Sequence, residues 1–443
     1  MQTPIYNFVQ NYIKSGASRF HMPGHKGKSF LGIEPFDITE IKGADELYSP
    51  SGLIAEREEH ATKLFGTAHT YYSTEGSTLA IKAMLALALN DAQGGSRPTL
   101  LAGRNAHKAL IFAAALLDFD VEWLYGDDSH ACECKTTPDA LRARLSAMSD
   151  LPFAVYITSP DYLGNIADVG ELAKVCDEFG IPLLVDNAHG AYLAHLEPSL
   201  HPIALGASMC ADSAHKTLPV LTGGAYMHIA KRAAHFTERA RSMISLFAST
   251  SPSYLILESL DLANAYMADG FKDRLAQSIN NAEAVKGRLA ELGFAPEATE
   301  PLKIVIRAAK YGYSGDELAD RLREFDLECE FSDRDYLVLM LTPENDGGDL
   351  ARLLDAFARI KPKEAIEASA VKLTCGERKC SIREAIFAPS EKIPTKKSVG
   401  RILATPTVSC PPAVPIGVSG ELITEDTVNA LLAYEIEEIE VIK

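Results

Sequence analysis

The chain has 443 residues, 47% of them hydrophobic and 23% charged, with 43 Lys and Arg against 60 Asp and Glu, a formal net charge of −17. That length suits two or three packed subdomains, and the acidic balance argues against a nucleic-acid or anionic-membrane partner. The start, MQTPIYNFVQ, lacks a basic segment followed by an apolar run, and no stretch reaches the ~18 apolar residues of a membrane span, so a cytoplasmic location is expected. The eight cysteines are scattered, and neither the Cys132/Cys134 nor the Cys375/Cys380 spacing matches a zinc knuckle. Reduced thiols and no metal site are the expectation.

In chain order, residues 1–52 are rich in Gly, Pro and His (RFHMPGHKGK, SPSG) and read as an irregular N-terminal arm with short helices. LIAEREEHATKLFG reads as an amphipathic helix closed by Gly66, and SGST opens a second, STLAIKAMLALALN. Short apolar strands then alternate with helices: TLLAG (99–103), VEWLY (121–125), FAVYITS (153–159), IPLLVD (181–186), SMCADS (208–213) and AYMHIA (225–230). Such alternation predicts a mostly parallel sheet covered on both faces, with ligands bound at the carboxyl ends of its strands. A helical run over 252–292 bridges to a second domain near Phe294, which mixes strands (LKIVIRA, YLVLMLT) with helices (SGDELADRLREF, GDLARLLDAFARI). APSEKIPTKKS then leads to an irregular stretch, CPPAVPIGVSGE, and an acidic tail, EIEEIEVIK. The boundaries are therefore 1–52 (arm), 53–293 (α/β major domain) and 294–443 (smaller α+β domain).

Three strand exits and one helix start carry chemistry. Asp212-Ser213-Ala214-His215-Lys216-Thr217 puts a lysine amine where it can reach a crevice as a nucleophile. Asp186, at the end of IPLLVD, is placed to keep a pyridinium nitrogen protonated, and His189 follows three residues later. A lysine and a carboxylate at neighbouring strand exits are the pair that holds pyridoxal 5'-phosphate (PLP), with the lysine as its Schiff base. Gly76-Ser77-Thr78 begins a helix whose free N–H groups suit an anion, although Ser and Thr are also ordinary caps. His107 follows the strand TLLAG, where a ring can stack on a flat heterocycle or merely sit in a loop.

The ordered series EGST, NAHK, TSPDYLGNIADV, VDNAHGA, DSAHKT and TSPSYLILESLD resembles the Orn/Lys/Arg decarboxylase family. RFHMPGHKG, DITEIKGADELYSPSGLI and the C-terminal GRI…PPAVPI…GE extend the likeness from about Phe20 to Glu421, weakest over 290–370. The chain looks like the short form, without an amino-terminal wing domain. The resemblance implies a fold-type-I (aspartate aminotransferase-like) major domain, PLP as cofactor, and decarboxylation of lysine, arginine or ornithine to an amine for polyamine synthesis. It implies that Lys216 forms the Schiff base and Asp186 pairs with the pyridine nitrogen. His107 stacks on the ring, and His189 lies near its phenolic oxygen. Gly76, Ser77, Thr78, Ser213 and His215 surround the phosphate, and Lys216 or His215 returns the proton. It further implies a homodimer with sites at the interface, and Glu330 as a contact for the substrate's cationic end. Another PLP reaction, such as transamination or elimination, and a non-catalytic PLP-binding homologue are the rival readings. The chain departs from the family pattern at Glu75, at Asn187, at Gly223 or Gly224 where a Gln is usual, and at Cys410 and Ala413 in place of Tyr-Pro-Pro-Gly. These departures bear on substrate choice more than on the cofactor.

Overall fold

The computed structural model describes residues 2–92, 97–126, 130–366, 376–408 and 413–443. Cys410 lies outside them. Seven strands come first in the chain: β1 (His69–Ser73), β2 (Thr99–Gly103), β3 (Asp120–Leu124), β4 (Ala154–Thr158), β5 (Leu183–Asp186), β6 (Met209–Asp212) and β7 (Ala225–Ile229). Six match the apolar runs seen in the sequence to within two residues at each end. β1, HTYYS, has no apolar run to mark it, since three of its five residues are polar. Contacts divide the chain into two compact units, one of residues 1–98, 144–157 and 168–273, the other of 99–143, 158–167 and 274–443.

In the first unit the strands lie in the order β1-β7-β6-β5-β4. β5 and β6 are parallel, with Asp186 opposite Ala211. β7 is antiparallel to both β6 and β1, pairing Tyr226 with Asp212 and with Tyr72. This mixed direction has a functional consequence. The ends of β5, β6 and β1 and the start of β7 all arrive at one edge of the sheet. The helix Gly76–Asp91 packs on β6 and β7. Its Met84, Leu85 and Leu87 are at most 1% exposed, and each such burial is worth about 1.5–3 kcal/mol. That packing fixes the helix N-terminus at the same edge. The amphipathic helix Leu53–Phe65 ends where Gly66 takes φ 67°. The expected run over 252–292 is two helices, Tyr254–Ala268 and Phe271–Glu291, broken at Gly270 with φ 65°. The arm contains a helix, Pro4–Lys14, whose first free amides, of Ile5 and Tyr6, donate to the buried Asp261 carboxylate at 2.8 and 3.0 Å.

The second unit holds the parallel pair β2–β3 and an antiparallel sheet β8-β10-β9 formed by β8 (Lys303–Arg307), β9 (Phe331–Ser332) and β10 (Tyr336–Met340). Helices Gly315–Arg323 and Gly347–Arg359 begin at Ser314 and Asp346, each in a reciprocal capping box, and cover a core around Phe294, Ile304, Leu337 and Phe357. The acidic tail is not loose: Glu438–Ile442 pairs antiparallel with Ser390–Pro394, burying Ile439 and Val441 on alternate positions. Among the described residues no helix is long and apolar enough to cross a membrane.

Candidate active site

The site of the first unit grows from those converging strand ends. Asp186 closes β5 with 2% exposure. Its Oδ2 accepts a hydrogen bond from Tyr156 Oη at 3.1 Å, and its Oδ1 accepts from the Ala188 amide at 3.2 Å. Burial raises its pKa, while the Lys216 charge, Tyr156 and the Ala188 amide pull it down. Beyond Asp186 the chain turns through Gly190 N–H to Asn187 O at 2.8 Å, which brings His189 back over the strand end. Lys216 leaves the short helix Ala214–Thr217 directly after β6, and its Nζ lies 3.0 Å from His189 Nε2. Lys216, His189 and Asp186, scattered over thirty residues of sequence, are thus brought together.

The helix Gly76–Asp91 begins at the same edge. Ser213 Oγ donates to Ser77 Oγ at 2.7 Å, tying the lysine motif to that helix's first turn, which also carries Thr78. Gly76 sits at φ 72° and donates its amide to Gly223 O at 2.7 Å, with open space where a Cβ would point. His215 is anchored differently: its Nδ1 lies 2.9 Å from Gly224 O. His107 belongs to the second unit, where it caps the helix Lys108–Leu117 and accepts from the Ala109 amide at 3.1 Å.

The departures acquire physical reasons. Glu75 turns its carboxylate to the Ser249 amide, 2.7 Å away, so its charge is committed there. Gly223, at φ 99°, passes so close to the Thr74 carbonyl that a Cβ would meet it at 3.1 Å. Asn187 donates from Nδ2 to Asp212 Oδ1 at 2.7 Å. Ala413, in the second unit, sits at φ 57°, a left-handed conformation that favours glycine, and its carbonyl accepts from the Lys108 amide.

Sequence reasoning missed Tyr156 and the surroundings of Asp212. Tyr156 stood inside an apolar strand run, where a tyrosine reads as core. Asp212 preceded the lysine motif without a partner in view, yet it accepts from His201 Nε2 at 3.0 Å and His228 Nε2 at 3.1 Å. No local spacing announces such a grouping.

The donor set suits PLP: an amine beside an imidazole, a buried carboxylate oriented by two donors, and a paired serine at a helix N-terminus with open space over Gly76. Comparison with known proteins points the same way. Residues 3–307 match the family model described as Orn/Lys/Arg decarboxylase, major domain. The uncharacterized protein YaaO of Bacillus subtilis is 30% identical over 97% of this chain and 94% of its own length. An arginine decarboxylase of the same organism is 28% identical over 97% of this chain and 92% of its own. Among solved structures, the lysine decarboxylase of Francisella novicida superposes with a TM-score of 0.80 at 19% identity, covering all of this chain and 81% of that one.

Proposed function

The chain belongs to the Orn/Lys/Arg decarboxylase family, PLP-dependent enzymes of fold type I, and on that premise we propose that it removes the α-carboxylate of a basic amino acid as CO₂, leaving the corresponding amine. Arginine stands first among the three substrates, because full-length relatives with a named substrate are arginine decarboxylases at 28–29% identity. The observation that carries the chemistry is the Lys216–His189 contact at 3.0 Å beside the buried Asp186.

Bound PLP supplies the electron sink for the pair left behind when CO₂ departs. This chain's residues do the rest. Lys216 Nζ holds the cofactor, and His189 Nε2 gives that amine a proton partner within direct reach. Asp186 keeps a proton on the pyridine nitrogen, and Tyr156 with the Ala188 amide holds the carboxylate in the orientation this requires. Ser77, Thr78, Ser213 and the amides of the helix start receive the phosphate. We assign His107 to the ring face and His215 to the phosphate end and the returning proton. Glu330, which accepts from Tyr162 Oη at 3.0 Å, is our candidate for the substrate's distal cation. A cytoplasmic homodimer, a PLP-binding domain over 53–293 and a C-terminal domain over 294–443 complete the reading.

The test is to incubate purified holoenzyme with L-arginine, L-lysine and L-ornithine separately, measuring CO₂ and identifying the product. Agmatine, cadaverine or putrescine formed together with CO₂ is expected. A keto acid in place of an amine, or no turnover of any of the three, would overturn the assignment. Lys216→Ala should lose the protein–PLP link that borohydride fixes in the wild type. A fixed link in the variant would move the assignment to another lysine.

A further inference from the structure

Behind the cofactor edge, four residues from three stretches of the first unit converge. His201 precedes the helix Pro202–Leu205, Cys210 and Asp212 lie on β6, and His228 lies on β7. All four are at most 1% exposed, and one ligand atom from each lies within 4.8 Å of all the others. We propose that His201, Cys210, Asp212 and His228 bind one zinc ion in the interior of the sheet.

The donor set and the spacing carry this. Two imidazoles, a thiolate and a carboxylate are first-choice ligands for four-coordinate zinc, with Zn–N near 2.0 Å and Zn–S near 2.3 Å. A tetrahedron with those arms puts N and O about 3.3 Å apart and S and N about 3.5 Å apart. Here His201 Nε2 and His228 Nε2 lie 3.0 and 3.1 Å from Asp212 Oδ2, and Cys210 Sγ lies 3.8 Å from both His201 Nε2 and Asp212 Oδ1. The two imidazole–carboxylate pairs and the thiol–His201 pair are thus within a few tenths of an ångström of those separations, and the remaining pairs lie within 4.8 Å. Charge also closes. With the Cys210 proton released on binding, one thiolate, one carboxylate and two neutral imidazoles leave a Zn²⁺ site with no net charge, which a core tolerates.

The surrounding shell fits a metal as well. Thr70 Oγ1 lies 2.9 Å from His228 Nδ1, within reach to accept the Nδ1 proton when Nε2 binds the ion. Asn187 Nδ2 holds the other carboxylate oxygen at 2.7 Å, so the ion would brace the turn that carries Asp186. A hydrogen-bonded carboxylate between two protonated Nε2 atoms accounts for three of the four residues without an ion. In that arrangement the Cys210 thiol makes only a long contact to Asp212 Oδ1, at 3.8 Å, which a Zn–S bond would replace.

The experiment uses holoenzyme produced in zinc-supplemented medium and dialysed against a chelator, with metal and PLP counted per chain. About one zinc per chain is expected, with an X-ray absorption edge fitted by one sulfur and three nitrogen or oxygen neighbours. Growth with cobalt should give the visible bands of a tetrahedral Co²⁺ site in the wild type, a readout that needs no variant. Cys210→Ala and His201→Gln should each drop the metal at least tenfold. His130→Asn, at the separate group formed with Asp333 and Asp335, should leave it unchanged. Wild-type protein with less than a tenth of a zinc per chain and no cobalt bands would overturn the site. So would full occupancy in both Cys210→Ala and His201→Gln.

Discussion

Replacing Tyr156 by Phe isolates the contact that orients Asp186. The substitution keeps the ring that fills the fully buried position and deletes only the hydroxyl, 3.1 Å from Asp186 Oδ2. A hydrogen bond to an ionised acceptor contributes about 1.5–3 kcal/mol. That stabilisation falls on the carboxylate and not on the neutral acid. At 1.4 kcal/mol per factor of ten, its loss weakens the preference for the ionised form by about 10- to 150-fold. The sign follows: burial already raises the Asp186 pKa and Tyr156 lowers it, so the variant's pKa rises further. In the proposed role ionised Asp186 holds the proton on the ring nitrogen, so the acid limb of the kcat/KM profile should move toward neutral pH. The alkaline limb should stay where it is. PLP retention through gel filtration should fall on the acid side only. Tyr226→Phe, which loses a hydroxyl 3.1 Å from Asn264 Oδ1 in the same sheet, serves as the control with no shift expected. An unmoved acid limb in Tyr156→Phe, or an equal shift in both variants, would refute the reasoning.

Two further outcomes test other parts of the structure. Glu258 is held up to about 8, first by burial and then by the charges of Asp261 and Asp37. Its folded pKa lies above its ordinary 4.5, so the folded state binds the extra proton and stability declines as pH rises from 4.5 through 8. Glu258→Gln should flatten that decline in urea titrations across the window; an unchanged slope would show that the residue ionises freely. Ala413 carries the left-handed strain of a non-glycine residue, about 1–2 kcal/mol, against about 0.4–1 kcal/mol of added chain entropy for glycine in the unfolded state. Ala413→Gly should therefore stabilise by roughly 0.5–1 kcal/mol, read as a higher denaturation midpoint; a lower midpoint would place the residue outside that conformation.

What the sequence determined by itself was local or carried by order. Apolar runs marked six of the first seven strands and two later ones in the second unit, because a strand buried on both faces must be apolar along its length. The helix stop at Gly66 and the helix start at Ser314 were legible because caps act within one turn. The motif series around Ser77, Asp186 and Lys216 disclosed family and cofactor, since each motif sits at a strand end whose chemistry is contiguous in the chain. The strand at Glu438–Ile442 was hidden, because its partner Ser390–Pro394 lies about fifty residues away and only pairing makes an acidic segment extended. Tyr156 and the grouping of His201, Cys210 and His228 about Asp212 were decided by tertiary structure alone. Their contacts depend on which strands become neighbours and in which direction they run. The antiparallel turn of β7 against β6 sets His228 opposite Cys210, and no local spacing encodes that register.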